Sequence, residues 1–188
     1  MKCINVRKLC RSVMRHRAVR ASGFTLVELL TVVVIMGIVA LIAIPLFEST
    51  DAARVSSAAK LIVSDLQYAQ MYSISHSDNP MGLKFDTSTN SYSLVQRSGA
   101  LPFNCASVSI ATNPAGGAAY VTTFGTGRAS ELTGVSIDSL SLDGDECLMF
   151  GSYGELDQAT PATLDVTFGG RSLTLSIDPI SGEVTVAP

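Results

Sequence analysis

Gly23-Phe24-Thr25-Leu26-Val27-Glu28-Leu29-Leu30 opens an apolar run that continues as Thr31-Val32-Val33-Val34-Ile35-Met36-Gly37-Ile38-Val39-Ala40-Leu41-Ile42-Ala43-Ile44-Pro45-Leu46-Phe47. A helix needs about 20 apolar residues to cross a hydrocarbon layer of about 30 Å, and the segment 24–47 supplies them. One acid, Glu28, sits near its start. A carboxylate at mid-membrane depth costs about 2.5–3.5 kcal/mol and less near the face, so an intramembrane acid usually has a partner charge. The plainer alternative is a juxtamembrane Glu whose head snorkels to water.

Outward from this run, the flanks set its direction. Residues 1–23 hold seven of the thirteen Lys and Arg and no acid, among them Arg7, Lys8, Arg11, Arg15, Arg17 and Arg20, while Glu48 and Asp51 follow the run. The positive-inside bias keeps such an N-terminus cytoplasmic and exports everything after Thr50. A secretory signal is cleaved behind an apolar core of about 7–15 residues. Here the core is longer, and the small residues Ala21-Ser22-Gly23 stand ahead of it, so cleavage there removes the charges and keeps the helix. Gly37 and Pro45 are candidate breaks, because proline deletes a helical hydrogen bond and crowds the preceding turn. Local bending or unwinding is expected around Ile42 to Pro45.

Without residues 1–23, six basic residues face sixteen acidic ones. That balance disfavours nucleic acid as a partner, since phosphate backbones are held by clustered Lys and Arg. Of four cysteines, Cys3 and Cys10 leave with the leader. Cys105 and Cys147 remain, and read either as a disulfide in an oxidising compartment or as two buried thiols.

Beyond Pro45 the helical pattern becomes amphipathic. Val55, Ala59, Ile62, Leu66 and Ala69 recur at steps of four and three, widened by Ala58, Leu61 and Tyr72. Ser56, Ser57, Lys60, Ser64, Asp65 and Gln67 are expected on the outer surface. The predicted organisation is a leader over 1–23, a membrane helix over 24–47, an amphipathic helix over 48–77 and a β-rich domain over 78–188. Strands are expected at Met81 to Phe85, Tyr92 to Gln96, Thr163 to Phe168, Ser172 to Ile177 and Glu183 to Val186. Weaker candidates are Val108 to Ala111, Ala119 to Phe124, Val135 to Leu142 and Leu148 to Phe150. Gly125-Thr126-Gly127 reads as loop. The fold class is α+β, with antiparallel sheets packed on the upper helix.

The sequence Gly23-Phe24-Thr25-Leu26-Val27-Glu28 behind a basic leader resembles the type III signal of type IV prepilins and pseudopilins. Leu66-Gln67-Tyr68-Ala69-Gln70, Leu148-Met149-Phe150-Gly151-Ser152-Tyr153-Gly154 and Leu175-Ser176-Ile177-Asp178-Pro179-Ile180-Ser181-Gly182-Glu183-Val184 are similar to the GspH/FimT family in particular. The resemblance implies a type IV pilin-like fold and cleavage by prepilin peptidase between Gly23 and Phe24. It also implies N-methylation of Phe24 and pairing of Glu28 with the Phe24 amine of a neighbouring subunit. The chain would reside in the bacterial inner membrane as a single-pass protein with a periplasmic domain, then enter a fibre. Its partners would be other pseudopilins or pilins and the inner-membrane assembly platform. The leader is longer than most in that family, and Met14 read as the start leaves ten residues.

The role implied first is a minor pseudopilin of a type II secretion system that supports protein export; a minor pilin of a type IV pilus is the alternative. DNA-uptake relatives carry Gly-Arg-x-Arg near the C-terminus, where this chain has Gly182-Glu183-Val184-Thr185. Enzymatic chemistry finds little to use. His76 is the one histidine after the leader, and no nucleophile elbow, phosphate loop or zinc spacing occurs. Asp143-Gly144-Asp145-Glu146 departs from a calcium-loop pattern and reads as a solvated acidic turn. No cofactor is expected.

Overall fold

A computed structural model describes residues 23–97, 107–114 and 116–188, with backbone alone for 41–49. The leader through Ser22 and Cys105 lie outside the described residues. The chain forms two compact units, Met1–Ile42 and Ala43–Pro188.

Helix α1 (Leu26–Ser75) is assigned without interruption through Gly37 and Pro45. A proline removes one intrahelical hydrogen bond, which is compatible with continuous helical backbone. The helical assignment continues through Ile42 to Pro45, and the two units divide between Ile42 and Ala43. In the first unit every described side chain of α1 is exposed. Among the described residues no helix is long and apolar enough to cross a membrane. The span expected over 24–47 includes 41–47, whose side chains are not described, and the part before them is shorter than a crossing requires.

In the second unit, α1 buries the expected stripe. Val55, Ala58, Ala59, Ile62, Leu66 and Ala69 are all within the core. One position departs from expectation: Asp65, assigned to the outer surface, is 3% exposed. Ser73, near the end of α1, is fully buried. The Ser73 hydroxyl donates to the Met81 carbonyl (3.0 Å) and accepts from the Met81 amide (2.8 Å), which ties the last turns of α1 to the first strand. The helix ends where Ser75 turns its hydroxyl back to the Met71 and Tyr72 carbonyls, as short polar side chains do near helix ends.

Two antiparallel sheets follow. In the first, β1 (Met81–Asp86) lies between β2 (Ser91–Gln96) and β6 (Cys147–Met149), while β3 (Ser109–Ile110) and β4 (Val121–Thr123) share the far edge of β2. Register places Leu83 opposite both Leu94 and Leu148. Gly82 is needed where β1 and β6 approach, because a side chain there would collide with the Leu148 carbonyl. The second sheet runs β5 (Ser136–Ser141), β7 (Ala162–Phe168), β8 (Arg171–Ile177), β9 (Val184–Ala187). A register shift between Ile137 and Leu140 bulges the edge strand β5, a common way of blunting an edge.

Period-two alternation in β1 and β7 sends Leu83, Phe85, Leu164 and Val166 into one core with Ile62 and Leu66. The stretch expected as loop at Gly125-Thr126-Gly127 instead leads into a 3-10 helix, Gly127–Leu132. The segment kinks at Ala129, whose φ and ψ are not helical, and Ala129 and Leu132 both enter the core. Among the described residues, each of the nine strands overlaps an expected one, and the architecture is α+β with antiparallel sheets.

Candidate assembly site

Gly23, Phe24 and Thr25 precede the first turn of α1 and carry no helical assignment. The Thr25 hydroxyl accepts a hydrogen bond from the Glu28 amide at 3.2 Å, and the Thr25 carbonyl accepts the first intrahelical bond from Leu29. Thr25 is thus the N-cap, and Glu28 stands three positions on, in the first turn. Thr-x-x-Glu is the spacing of a capping box, with the acid near the positive end of the helix dipole. The cap adds a local role for Glu28 beside the charge pairing expected from the sequence. It explains a threonine and an acid here, but not the apolar surface around them.

That surface is extensive. Phe24 is 80% exposed and Met36 70%, and Leu26, Leu29, Val33 and Ile35 are also open. Contiguous apolar area of this kind marks a membrane or protein contact. Among the described residues nothing lies within 4 Å of a side chain placed at Gly23 or Gly37. Cleavage between Gly23 and Phe24 would create an ammonium beside the positive end of α1, where a cation is unfavourable. An acid at Glu28 is the nearest formal charge able to offset it.

The body holds a polar cluster of a different kind. The Asp65 carboxylate accepts from Tyr92 (2.7 Å) and Tyr120 (3.1 Å) and pairs with the Arg128 guanidinium. Arg128 also donates from Nε to the Thr122 hydroxyl (2.9 Å) and from Nη1 to the Tyr120 phenol (2.6 Å), with its guanidinium 4.8 Å from the Tyr120 ring centroid. Burial pushes the Tyr92 phenol well up and the Arg128 guanidinium down. No buried side-chain polar atom of the cluster is left without a hydrogen-bond partner. The cluster locks α1, β2, β4 and the 3-10 helix together.

His76 stacks on Tyr72 with ring centroids 4.2 Å apart and remains exposed, as its place in the helix-ending turn suggests. No group of three or more His, Cys, Asp or Glu able to hold a metal occurs among the described residues. In the acidic turn, the Asp145 carboxylate instead accepts from the Cys147 amide at 3.2 Å. Cys147 is buried and disulfide-bonded.

Asp65 could have been found from sequence. It lies three residues after Ile62 and one before Leu66, inside the apolar arc, where an acid needs a buried donor. Gln70 was quoted only as part of a segment, yet its Nε2 donates to the Gly154 carbonyl (3.0 Å) and the Ser181 carbonyl (2.8 Å). It staples two distant loops to α1.

Residues 19–44 match the prokaryotic N-terminal methylation motif, which covers Gly23, Phe24 and Glu28. No curated protein matches the chain. Among solved structures it is similar to the minor pseudopilin EpsH of the Vibrio cholerae type 2 secretion system, at 16% identity and TM-score 0.46, over 71% of this chain and 96% of that one. It is also similar to the Pseudomonas aeruginosa type IV minor pilin FimU, at 20% identity and TM-score 0.47, over 71% and 92%.

Proposed function

We propose that the chain is a minor pseudopilin of a type II secretion system. Prepilin peptidase cuts between Gly23 and Phe24 and the new Phe24 amine is methylated. The helix over 24–47 anchors the protein in the inner membrane with its β-rich domain in the periplasm. The inner-membrane platform then transfers it into a pseudopilus, where Glu28 pairs with the Phe24 ammonium of an adjacent subunit while apolar helices pack together. The role is structural, and export is supported by the fibre rather than by a reaction at this chain.

One observation carries this reading: the methylation motif over 19–44 places Gly23 and Phe24 directly before an exposed apolar helix with Glu28 in its first turn. The same motif serves type IV pili, so a minor pilin that initiates a surface fibre is the second reading. Mass spectrometry of the protein isolated from membranes tests the proposal. A chain beginning at N-methylated Phe24 is expected; an intact or differently cut N-terminus overturns it. Co-isolation with secretion-system or pilus subunits separates the two fibres.

A further inference from the structure

We infer that the loops stapled to α1 by Gln70 form a docking face for a different subunit, one with an apolar centre and a basic rim. Among the described residues beyond the anchor, eight large hydrophobic side chains are exposed, and four of them lie around Gln70. Met71 and Ile74 come from α1, Tyr153 from the loop 151–155 and Ile180 from the turn 178–182. Tyr153 is 89% exposed and Ile180 82%.

The loops are held rigid. Gln70 bonds to the carbonyls of Gly154 and Ser181, and the Leu156 amide donates to the Pro179 carbonyl at 2.8 Å. Gly182, with φ of +66°, packs so closely on Gln70 and Gly154 that no side chain fits. The Asp178 carboxylate accepts from the Ile180 and Ser181 amides (3.0 and 2.8 Å), and Glu155 accepts from the Tyr153 amide at 2.8 Å. The amides of Tyr153 and Ile180 are thus each held by a carboxylate. A preorganised apolar anchor loses little freedom on binding, which is the condition for a strong interface contact.

Charge selects the occupant. Glu155, Asp178 and Glu183 surround the face, Arg171 is the one Lys or Arg after Arg128, and it stands at the other end of β8. No Lys or Arg occurs on α1 after Lys60. A second copy would bring an acidic body to an acidic rim, and its Arg54 and Arg128 are already engaged with Phe168 and Asp65. The complementary surface belongs to another protein carrying Lys or Arg around apolar residues.

The inference rests on the proposed role as an assembling subunit, and its test reads both. A photo-reactive benzoylphenylalanine is placed at Ile180, at Tyr153 or, as a control, at exposed Ser172 in the full chain in intact cells. Irradiation is expected to join the first two positions, but not the third, to one membrane-anchored protein other than this chain. The joined peptide should carry Lys or Arg beside apolar residues, and Glu183→Lys should lower the yield at least threefold. Absence of an adduct, an adduct between two copies, a joined peptide without basic residues, or a yield indifferent to Glu183→Lys overturns the docking face. The N-terminus is weighed in the same sample. A processed chain without the adduct defeats this inference alone, and an unprocessed chain defeats both.

Discussion

Asp65 on α1 and Arg128 on the 3-10 helix meet in the body of the domain, with Asp65 fully enclosed and Arg128 about one-third open to solvent. The asymmetry matters for what each removal leaves behind. Arg128→Met strands a buried carboxylate with two phenols as its remaining donors, whereas Asp65→Asn leaves a guanidinium that water can reach. Breaking a buried pair costs about 3–5 kcal/mol, and the exposure of Arg128 reduces that here. Arg128→Met is expected to lower stability by roughly 2–3 kcal/mol and Asp65→Asn by less. Urea unfolding of the full chain in detergent checks the order; an equal or reversed ranking rejects the assignment of Asp65 as the constrained partner.

Burial raises the Asp157 carboxyl from 3.8 to about 6, with Asp145 and Asp143 adding repulsion. Because the folded pKa exceeds the unfolded one, the folded state holds this proton more tightly. Stability therefore falls as pH rises from about 4 to about 6 and stays reduced above that range. Asp157→Asn keeps an acceptor for the Met149 amide, now 3.2 Å away, and removes the charge. It is expected to gain roughly 1–2 kcal/mol at pH 7.5, discounted for partial exposure, and almost nothing at pH 4. Thermal unfolding at the two pH values checks this; an equal gain at both would point to packing rather than ionisation.

Much of this fold is written in short-range pattern. The stripe Val55, Ala59, Ile62, Leu66 and Ala69 gives the buried face of α1, and alternation around Gly169-Gly170 gives the β7–β8 hairpin. Strands as short as Ser109–Ile110 were legible because turn residues fence them. The Asp65 cluster was not, since its five side chains are separated by up to 63 positions and no local period connects them. The same limit hid Gln70, whose partners are carbonyls 84 and 111 positions away. Main-chain acceptors carry no signature in a sequence. The cleavage motif lies at the opposite extreme: its residues are adjacent, so their order alone declares it.

Cys147 is disulfide-bonded at the base of the acidic turn, and Cys105 is its expected partner once the leader is removed. A loop of about forty residues closed in this way is worth roughly 4 kcal/mol in chain entropy. Thiol labelling of the denatured mature protein should find no free cysteine before reduction and two after it. Two labelled thiols without reductant would reject the bridge. Cys105→Ser is expected to expose a reactive Cys147 and to lower the melting temperature by several degrees.

Glu28 has two physical roles available, and one substitution separates them. As the fourth residue of Thr25-Leu26-Val27-Glu28 it caps its own helix, a task that glutamine performs as well. As the partner of a neighbouring Phe24 ammonium it must be charged, which glutamine is not. Glu28→Gln therefore keeps the cap and deletes the charge, while Glu28→Ala deletes both. Both variants should still be cut after Gly23, because that peptide lies before the helix. If charge pairing governs assembly, both should enter the fibre poorly, by about tenfold for each 1.4 kcal/mol lost at the contact. If capping were the whole role, Glu28→Gln would assemble normally and Glu28→Ala alone would suffer. Quantifying each variant in sheared fibres against its membrane pool decides between them, and normal entry of Glu28→Gln would remove the charge pair from the mechanism.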